Sequence, residues 1–263
     1  MPGPLGGMSV RKPLALPATS PIQVLGARCL AWWDGTDVSS ASMVFGTGSE
    51  IATWKDKTTN ARHVASIGSL KPVSSASSIN GLPAVEFDAL AVSGFSNSSP
   101  FMYANGTIEI WTVSKSDDIT NGAFISEGNA STAAETYRLL DLNATDQHQF
   151  TYSDPSNVDR FVTTASRGAG SAWRLTIATD YGVATGTKCE VVGVATATNG
   201  AYTRPATTFN RFSIGACVRN SASLHYDGKL AEQFVITSAA TSPERTALAA
   251  YINAKYAQSW TPS

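Results

Sequence analysis

The sequence predicts an all-β sandwich closed by one C-terminal α-helix and preceded by an extended N-terminal arm. Three observations predict it. From Cys29 onward, short β-branched and aromatic runs alternate with Gly, Asn and Ser turns at the spacing of a sandwich or barrel. One segment alone, near the C-terminus, combines helical periodicity with helix start signals. Residues 1–27 carry Pro2, Pro4, Pro13, Pro17 and Pro21 among several glycines, with no sustained period.

Taken in order, residues 1–27 read as a Pro/Gly-rich arm that either trails as a tail or docks on a neighbouring subunit, where proline keeps the ordering entropy low. Either Met1 or Met8 could be the native start. The clearest strand runs are 108–113, 137–142, 149–152, 173–179, 189–195, 209–214 and 230–236. In Ile108–Val113 apolar groups fall on both faces, as in a strand with a layer on each side. In Arg174–Ala178 the alternation is cleaner, as in a strand with one wet face. Gly81 and Pro83 read as a turn opening a strand, with Val85 and Phe87 inward and Glu86 outward. The helix is expected at about 243–257, with Ser242 as N-cap, Pro243 at the first position and Glu244 complementing the dipole. Leu248, Tyr251, Ile252 and the Lys255 stem then form its packed face. Residues 28–263 are read as one domain, since all-β sandwiches often exceed 200 residues as a single unit.

Composition excludes several classes of function. The 19 basic and 20 acidic residues nearly cancel, and no Lys/Arg run could neutralise a row of phosphates, so nucleic acid is not an expected partner. No apolar stretch approaches the roughly 20 residues of a membrane helix, and the N-terminus lacks a continuous apolar leader core. Synthesis and folding in a cytosol are therefore expected. Cys29, Cys189 and Cys217 cannot all pair within one chain and read as buried single thiols. With 43% hydrophobic and only 15% charged residues, the surface must be built largely from Ser, Thr, Asn and Gly, which suits neutral partners.

At Leu30-Ala31-Trp32-Trp33-Asp34-Gly35 the chain begins to resemble the laminin-G-like, concanavalin A-like jelly-roll modules found in phage and bacterial surface proteins. Trp54-Lys55-Asp56-Lys57 with Asn60 and His63 is similar to the family's W-x-D-x-S-G-N-G-x-x-A segment, with Thr58, Thr59 and Ala61 departing from it. Asn80-Gly81-Leu82-Pro83-Ala84-Val85-Glu86-Phe87-Asp88 matches its N-G-x-P-A-V-x-F-D signature. Phe212–Gly215, Tyr226–Glu232 and the Ser-Pro-Glu helix look like its closing elements. The resemblance implies the jelly-roll fold and, as its usual use, binding to glycans or protein surfaces. Trp33 and Trp54 read as core, Asp34-Gly35 and Asp227-Gly228 as tight turns.

Relatives with this fold that hydrolyse glycans place three acids at alternating strand positions. Glu86-Phe87-Asp88 begins that pattern, but Leu90 and Ala91 stand where the third acid belongs, so no enzyme is expected. His63, His148 and His225 stand in no nucleophile context, and His148 reads as a polar loop edge. Asp34, Asp37, Asp56 and Asp117-Asp118 could donate to calcium at a loop rim, without the spacing of a dedicated loop; no metal or cofactor is expected. Sugar sites pair an exposed aromatic with Asn, Asp or Arg. Tyr137 with Arg138, Tyr152, Trp173 with Arg174, and Tyr202 with Arg204 offer that pairing and form the candidate glycan-binding set.

Together these readings lead first to a non-enzymatic virion structural protein of a tailed phage or phage-like particle, made in host cytoplasm and exposed on head or tail. Residues 1–27 would anchor it to other virion proteins in a homo-oligomer or larger assembly, and the sandwich would meet host-surface glycan or a neighbouring subunit. The alternative is a bacterial extracellular carbohydrate-binding or adhesin module. A divergent glycan hydrolase is the third reading.

Overall fold

In the computed structural model, residues 19–263 are described, apart from 91, 118–120, 133–134, 143–144, 155, 157, 169–170, 208 and 221. They form two packed antiparallel sheets. The helix-side sheet contains β1 (Cys29–Asp34), β5 (Val73–Ile79), β6 (Leu82–Phe87), β8 (Ile108–Ser116), β13 (Arg174–Asp180), β14 (Thr187–Val191), β15 (Ala195–Asn199) and β19 (Gly228–Thr237). The outer sheet contains β2 (Met43–Phe45), β3 (Ile51–Trp54), β4 (Val64–Ile67), β7 (Gly94–Asn97), β9 (Gly122–Gly128), β10 (Thr136–Leu142), β11 (Gln147–Ser153), β12 (Asp159–Ser166) and β16 (Arg211–Ile214). A short hairpin, β17 (Cys217–Val218) and β18 (Ala222–Ser223), stands apart. The all-β sandwich expected from the sequence is therefore the fold.

The helix-side sheet runs β15-β14-β13-β8-β19-β6-β5, and β1 lies in line with β6 along the same edge of β19. A bulge at Ala231 lets β19 change partners: Leu230 pairs with Val85 of β6, and Glu232 with Asp34 of β1. Gly35 fits against that bulge, donating to the Ala231 carbonyl at 2.9 Å. A Cβ there would sit 2.6 Å from the Leu230 carbonyl oxygen, so glycine is required for this approach.

Period-2 alternation assigns each half of the Trp32-Trp33 pair to a different core. Trp33 enters the layer between the sheets with Trp54, Phe87, Phe95 and Phe212, stacking on Phe212 at 5.3 Å. Trp32 faces the opposite way and packs with Trp111, Phe234, Leu248, Tyr251 and Ile252 under α2 (Ser242–Tyr256). The two sheets also meet at their edges, where Glu50 bridges to Val73 and β12 lies against β15. Among the described residues no helix is long and apolar enough to cross a membrane.

Several local expectations need correction. Residues 1–18 of the expected arm lie outside the described residues. Its last part is α1 (Pro21–Leu25) and a 3₁₀ turn (Gly26–Arg28), with Ser20 and Gln23 forming a capping box and Leu25 buried in the core beneath α2. The cap of α2 is Thr241 rather than Ser242, its partner again the residue three further on, Glu244. The run 189–195 is a hairpin, β14 and β15, that turns through Gly193 at φ +74°.

Strand β13 has no wet face. Leu175 and Ile177 point toward α2, while Thr176 and Thr179 are buried, because the polar positions of the alternation face buried partners instead of water. His148 is one of those partners. It is fully buried on β11, with Nδ1 2.6 Å from the Thr176 hydroxyl and its ring edge-on to Phe124 at 4.9 Å. Burial, reinforced by Arg167 and Arg174, pushes its pKa down to about 3, with the Asp141 carboxylate 3.7 Å from Nε2 too weak to reverse this.

The folded chain therefore holds His148 neutral while the unfolded chain protonates it below its ordinary value of 6.5. Stability from this group is complete above pH 6.5 and drains as pH falls from there toward 3. Urea midpoints across this window should fall more steeply for the wild type than for His148→Gln. Parallel slopes would show that the ring is not the group that titrates.

The three thiols are free and buried, and burial pushes those of Cys29 and Cys189 up to about 12, leaving them protonated and unreactive.

Candidate functional site

Four of the seven candidate sugar-binding residues meet at one end of the sandwich, around the buried carboxylate of Asp180. Tyr137 donates to it at 2.9 Å, Tyr202 at 2.7 Å, and the Gly182 amide at 2.8 Å. Arg204 lies 3.5 Å from the same carboxylate and 4.0 Å above the Tyr103 ring, and its guanidinium also donates to the carbonyls of Tyr103 and Gly106. Tyr152 is fully buried, its ring 4.8 Å from Tyr103. Burial and the Asp180 charge push the Tyr137 and Tyr202 hydroxyls upward, so both stay protonated as donors. The cluster ties residues 202–204 onto the sandwich with donors already in use.

The other three candidates lie elsewhere. Trp173 and Arg174 stand at the opposite end of β13, where Trp173 donates to the Ser78 carbonyl at 3.2 Å and Arg174 to the Arg167 carbonyl at 2.7 Å. Arg138 bonds to Thr136 at 2.5 Å.

The carboxylates are equally committed. Glu86 pairs with Lys229 at 3.2 Å, and Asp88 accepts from the Leu90 amide at 2.8 Å. Glu127 is buried under the amides of Phe101, Met102 and Tyr103, and burial raises its pKa. Of the calcium candidates, Asp34 is held by Lys255 at 2.9 Å, Asp37 by Lys57 and Ser42 at 2.7 Å each, and Asp56 by the Trp32 amide at 2.9 Å. Asp118 lies outside the described residues. Among the described residues no three His, Cys, Asp or Glu side chains converge as metal ligands.

A concavity lined by an aromatic and by hydroxyl groups lies between the outer side of α2 and the segment that follows it. Ala257 adopts the left-handed conformation at φ 51°, reversing the chain after the helix. The returning segment is pinned twice. Trp260 exchanges two hydrogen bonds with the Asn253 side chain, at 2.9 and 2.7 Å. Ser263 bonds through its amide and hydroxyl to Glu190 at 2.7 and 2.9 Å, and Lys188 donates to its hydroxyl at 2.7 Å.

Because Ala240, Ala249 and Ala250 are small, the arch leaves a cleft of about 460 Å³. Trp260 forms part of its wall, while also packing on the apolar cluster beneath α2. Ser242, Thr246 and Thr261 supply hydroxyls around it. Arg245 also lines it, its guanidinium bound to Glu109 and donating to the Ser263 carbonyl at 3.2 Å. This volume falls within the roughly 300–1,000 Å³ of small-molecule sites.

Sequence reading missed the cleft because it ended at the helix. The available signal was Trp260 itself, a large aromatic isolated among Ser259, Thr261 and Pro262 with no strand period to bury it.

No family model matches the chain, and no curated protein matches it in sequence. Solved structures do match its fold. The binding domain of botulinum neurotoxin DC, in complex with SialylT, superposes with a TM-score of 0.52 at 8% identity, over 77% of this chain and 49% of that one. A point mutant of the NanB sialidase from Streptococcus pneumoniae gives 0.50 at 10% identity, over 61% and 26%. The Ruminococcus gnavus IT-sialidase CBM40 bound to α2,6-sialyllactose gives 0.46 at 14% identity, over 54% and 82%. The chain thus spans only 23–26% of the NanB chains it matches, and at these identities the likeness is one of fold.

Proposed function

We propose that the chain is a saccharide-binding β-sandwich module that holds a glycan without cleaving it. The observation that carries this reading is the cleft between α2 and Trp260–Ser263. It sets an aromatic wall beside hydroxyl groups and the Asn253 side chain, the combination that matches a sugar's apolar ring face and polar rim. The committed state of Glu86 and Asp88 supports binding over hydrolysis. The fold is one on which a toxin binding domain is found in complex with SialylT.

This reading stands nearer to the exported carbohydrate-binding module than to the virion protein expected first. The matching solved structures named above are a toxin binding domain and sialidase domains. Work at an extracellular or cell-surface site follows from the proposed ligand. Mounting on a phage particle is a finer proposal that rests on residues 1–27 as an anchor.

A glycan array probed with the full chain, followed by incubation of the retained glycans and mass analysis of the products, tests the reading. Retention of a defined glycan class with no shortened product is expected. Absence of retention would overturn it. Product release that Glu86→Gln abolishes would transfer the protein to the hydrolase class.

A further inference from the structure

We propose that the α2 cleft is the saccharide site and that it takes a neutral pyranose stacked on Trp260, rejecting sugars whose recognition depends on a carboxylate. The inference rests on the saccharide-binding reading, which already draws on this cleft, and adds to it the stacking residue and the ligand's charge.

The place follows from preorganisation. Both ends of the arch are fastened, the Trp260 backbone to Asn253 and Ser263 to Glu190 and Lys188, and the Trp260 ring packs on the apolar cluster beneath α2, so the segment carrying the aromatic wall is held before any ligand arrives. Fixing a stacking platform in advance lowers the ordering cost of binding. At the Asp180 end, by contrast, Tyr137 and Tyr152 are fully buried and Arg204 is engaged by two carbonyls and a carboxylate. That end offers no free ring face on those two tyrosines, and both terminal nitrogens of the Arg204 fork already hold carbonyls.

The charge follows from pairing. Arg245 is the one ionisable side chain lining the cleft among the described residues. Its guanidinium binds Glu109 and lies 3.8 Å from Glu190, which Lys188 also pairs at 2.8 Å. Two cations thus face two carboxylates, and no cation is left over. Recognition of a sugar carboxylate draws on an uncommitted Arg or Lys, and here an incoming anion would meet Glu109 and Glu190 behind a neutralised Arg245. The hydroxyls of Ser242 and Thr261 can each donate and accept, and that of Thr246, which donates to the Ser242 carbonyl at 3.0 Å, can still accept, as the hydroxyls of a neutral sugar require.

The test uses the full chain, titrated with cellotetraose, chitotriose, lactose and 3′-sialyllactose and followed by calorimetry and saturation-transfer NMR. Trp260→Ala strips the wall, and Thr246→Trp fills the cleft from an exposed helix position, so one variant remains informative if the other folds poorly. A neutral sugar should bind, at least tenfold more weakly in the variants at a temperature where each is folded, and 3′-sialyllactose should bind no tighter than lactose. Neutral-sugar binding that survives both variants would overturn the placement while leaving the saccharide reading intact. A preference for 3′-sialyllactose that the variants remove would overturn the neutral assignment alone. If none of the four probes binds and the glycan array retains only acidic glycans, the neutral assignment fails. If no saccharide is retained at all, both readings fail together.

Discussion

Glu232→Ala is expected to lower unfolding stability by about 3–5 kcal/mol, the range for removing one partner of a buried charge network. Glu232 is fully buried at the β19 bulge, and four donors converge on it. Trp32 donates at 2.6 Å, Tyr251 at 2.8 Å and Tyr256 at 2.7 Å, while Lys255 lies 3.2 Å away and also 2.9 Å from Asp34. Removing the carboxylate leaves three buried donors without their acceptor and loosens α2, since Tyr251, Lys255 and Tyr256 are its last two turns. A loss of that size is a large fraction of the ~5–15 kcal/mol that holds a domain folded. Glu232→Gln keeps one acceptor oxygen and should lose less. Urea denaturation of the two variants checks the order, and a loss below about 1 kcal/mol for Glu232→Ala would show that the network is not what fastens the helix.

Arg204→Ala is expected to cost about 3 kcal/mol, near the lower end of the same range because Asp180 keeps its Tyr137, Tyr202 and Gly182 donors. The carbonyls of Tyr103 and Gly106 lose their guanidinium partner, and the Tyr103 ring loses its stacked cation. Arg204→Lys should recover little, because a single ammonium cannot span both carbonyls and the carboxylate. Saccharide affinity should be unchanged at a temperature where the variant is folded. A variant that folds normally but no longer binds sugar would return the site to the Asp180 end.

The architecture was legible because the signals for it are local. Gly81 before a strand, the alternation of Val85, Glu86 and Phe87 and the Pro243-Glu244 helix start each encode their own geometry. Thr176 and His148 were misread because polar side chains at alternating positions signal water, and here they signal each other across the sandwich. The candidate site was legible only in kind. An aromatic beside an arginine is common in strands, and pairs such as Tyr202 and Arg204 turned out to share a buried carboxylate 22–24 residues away in sequence. The α2 cleft depends on Ala257 reversing the chain and on Asn253 reaching Trp260, contacts that no single-sequence period announces.

Amide hydrogen exchange of the full chain with and without a saturating neutral glycan from the array tests the central claim most directly. Added protection concentrated in residues 240–263, with residues 100–106 and 201–207 unchanged, is the expected result. Saturated binding that leaves 240–263 unprotected would contradict it.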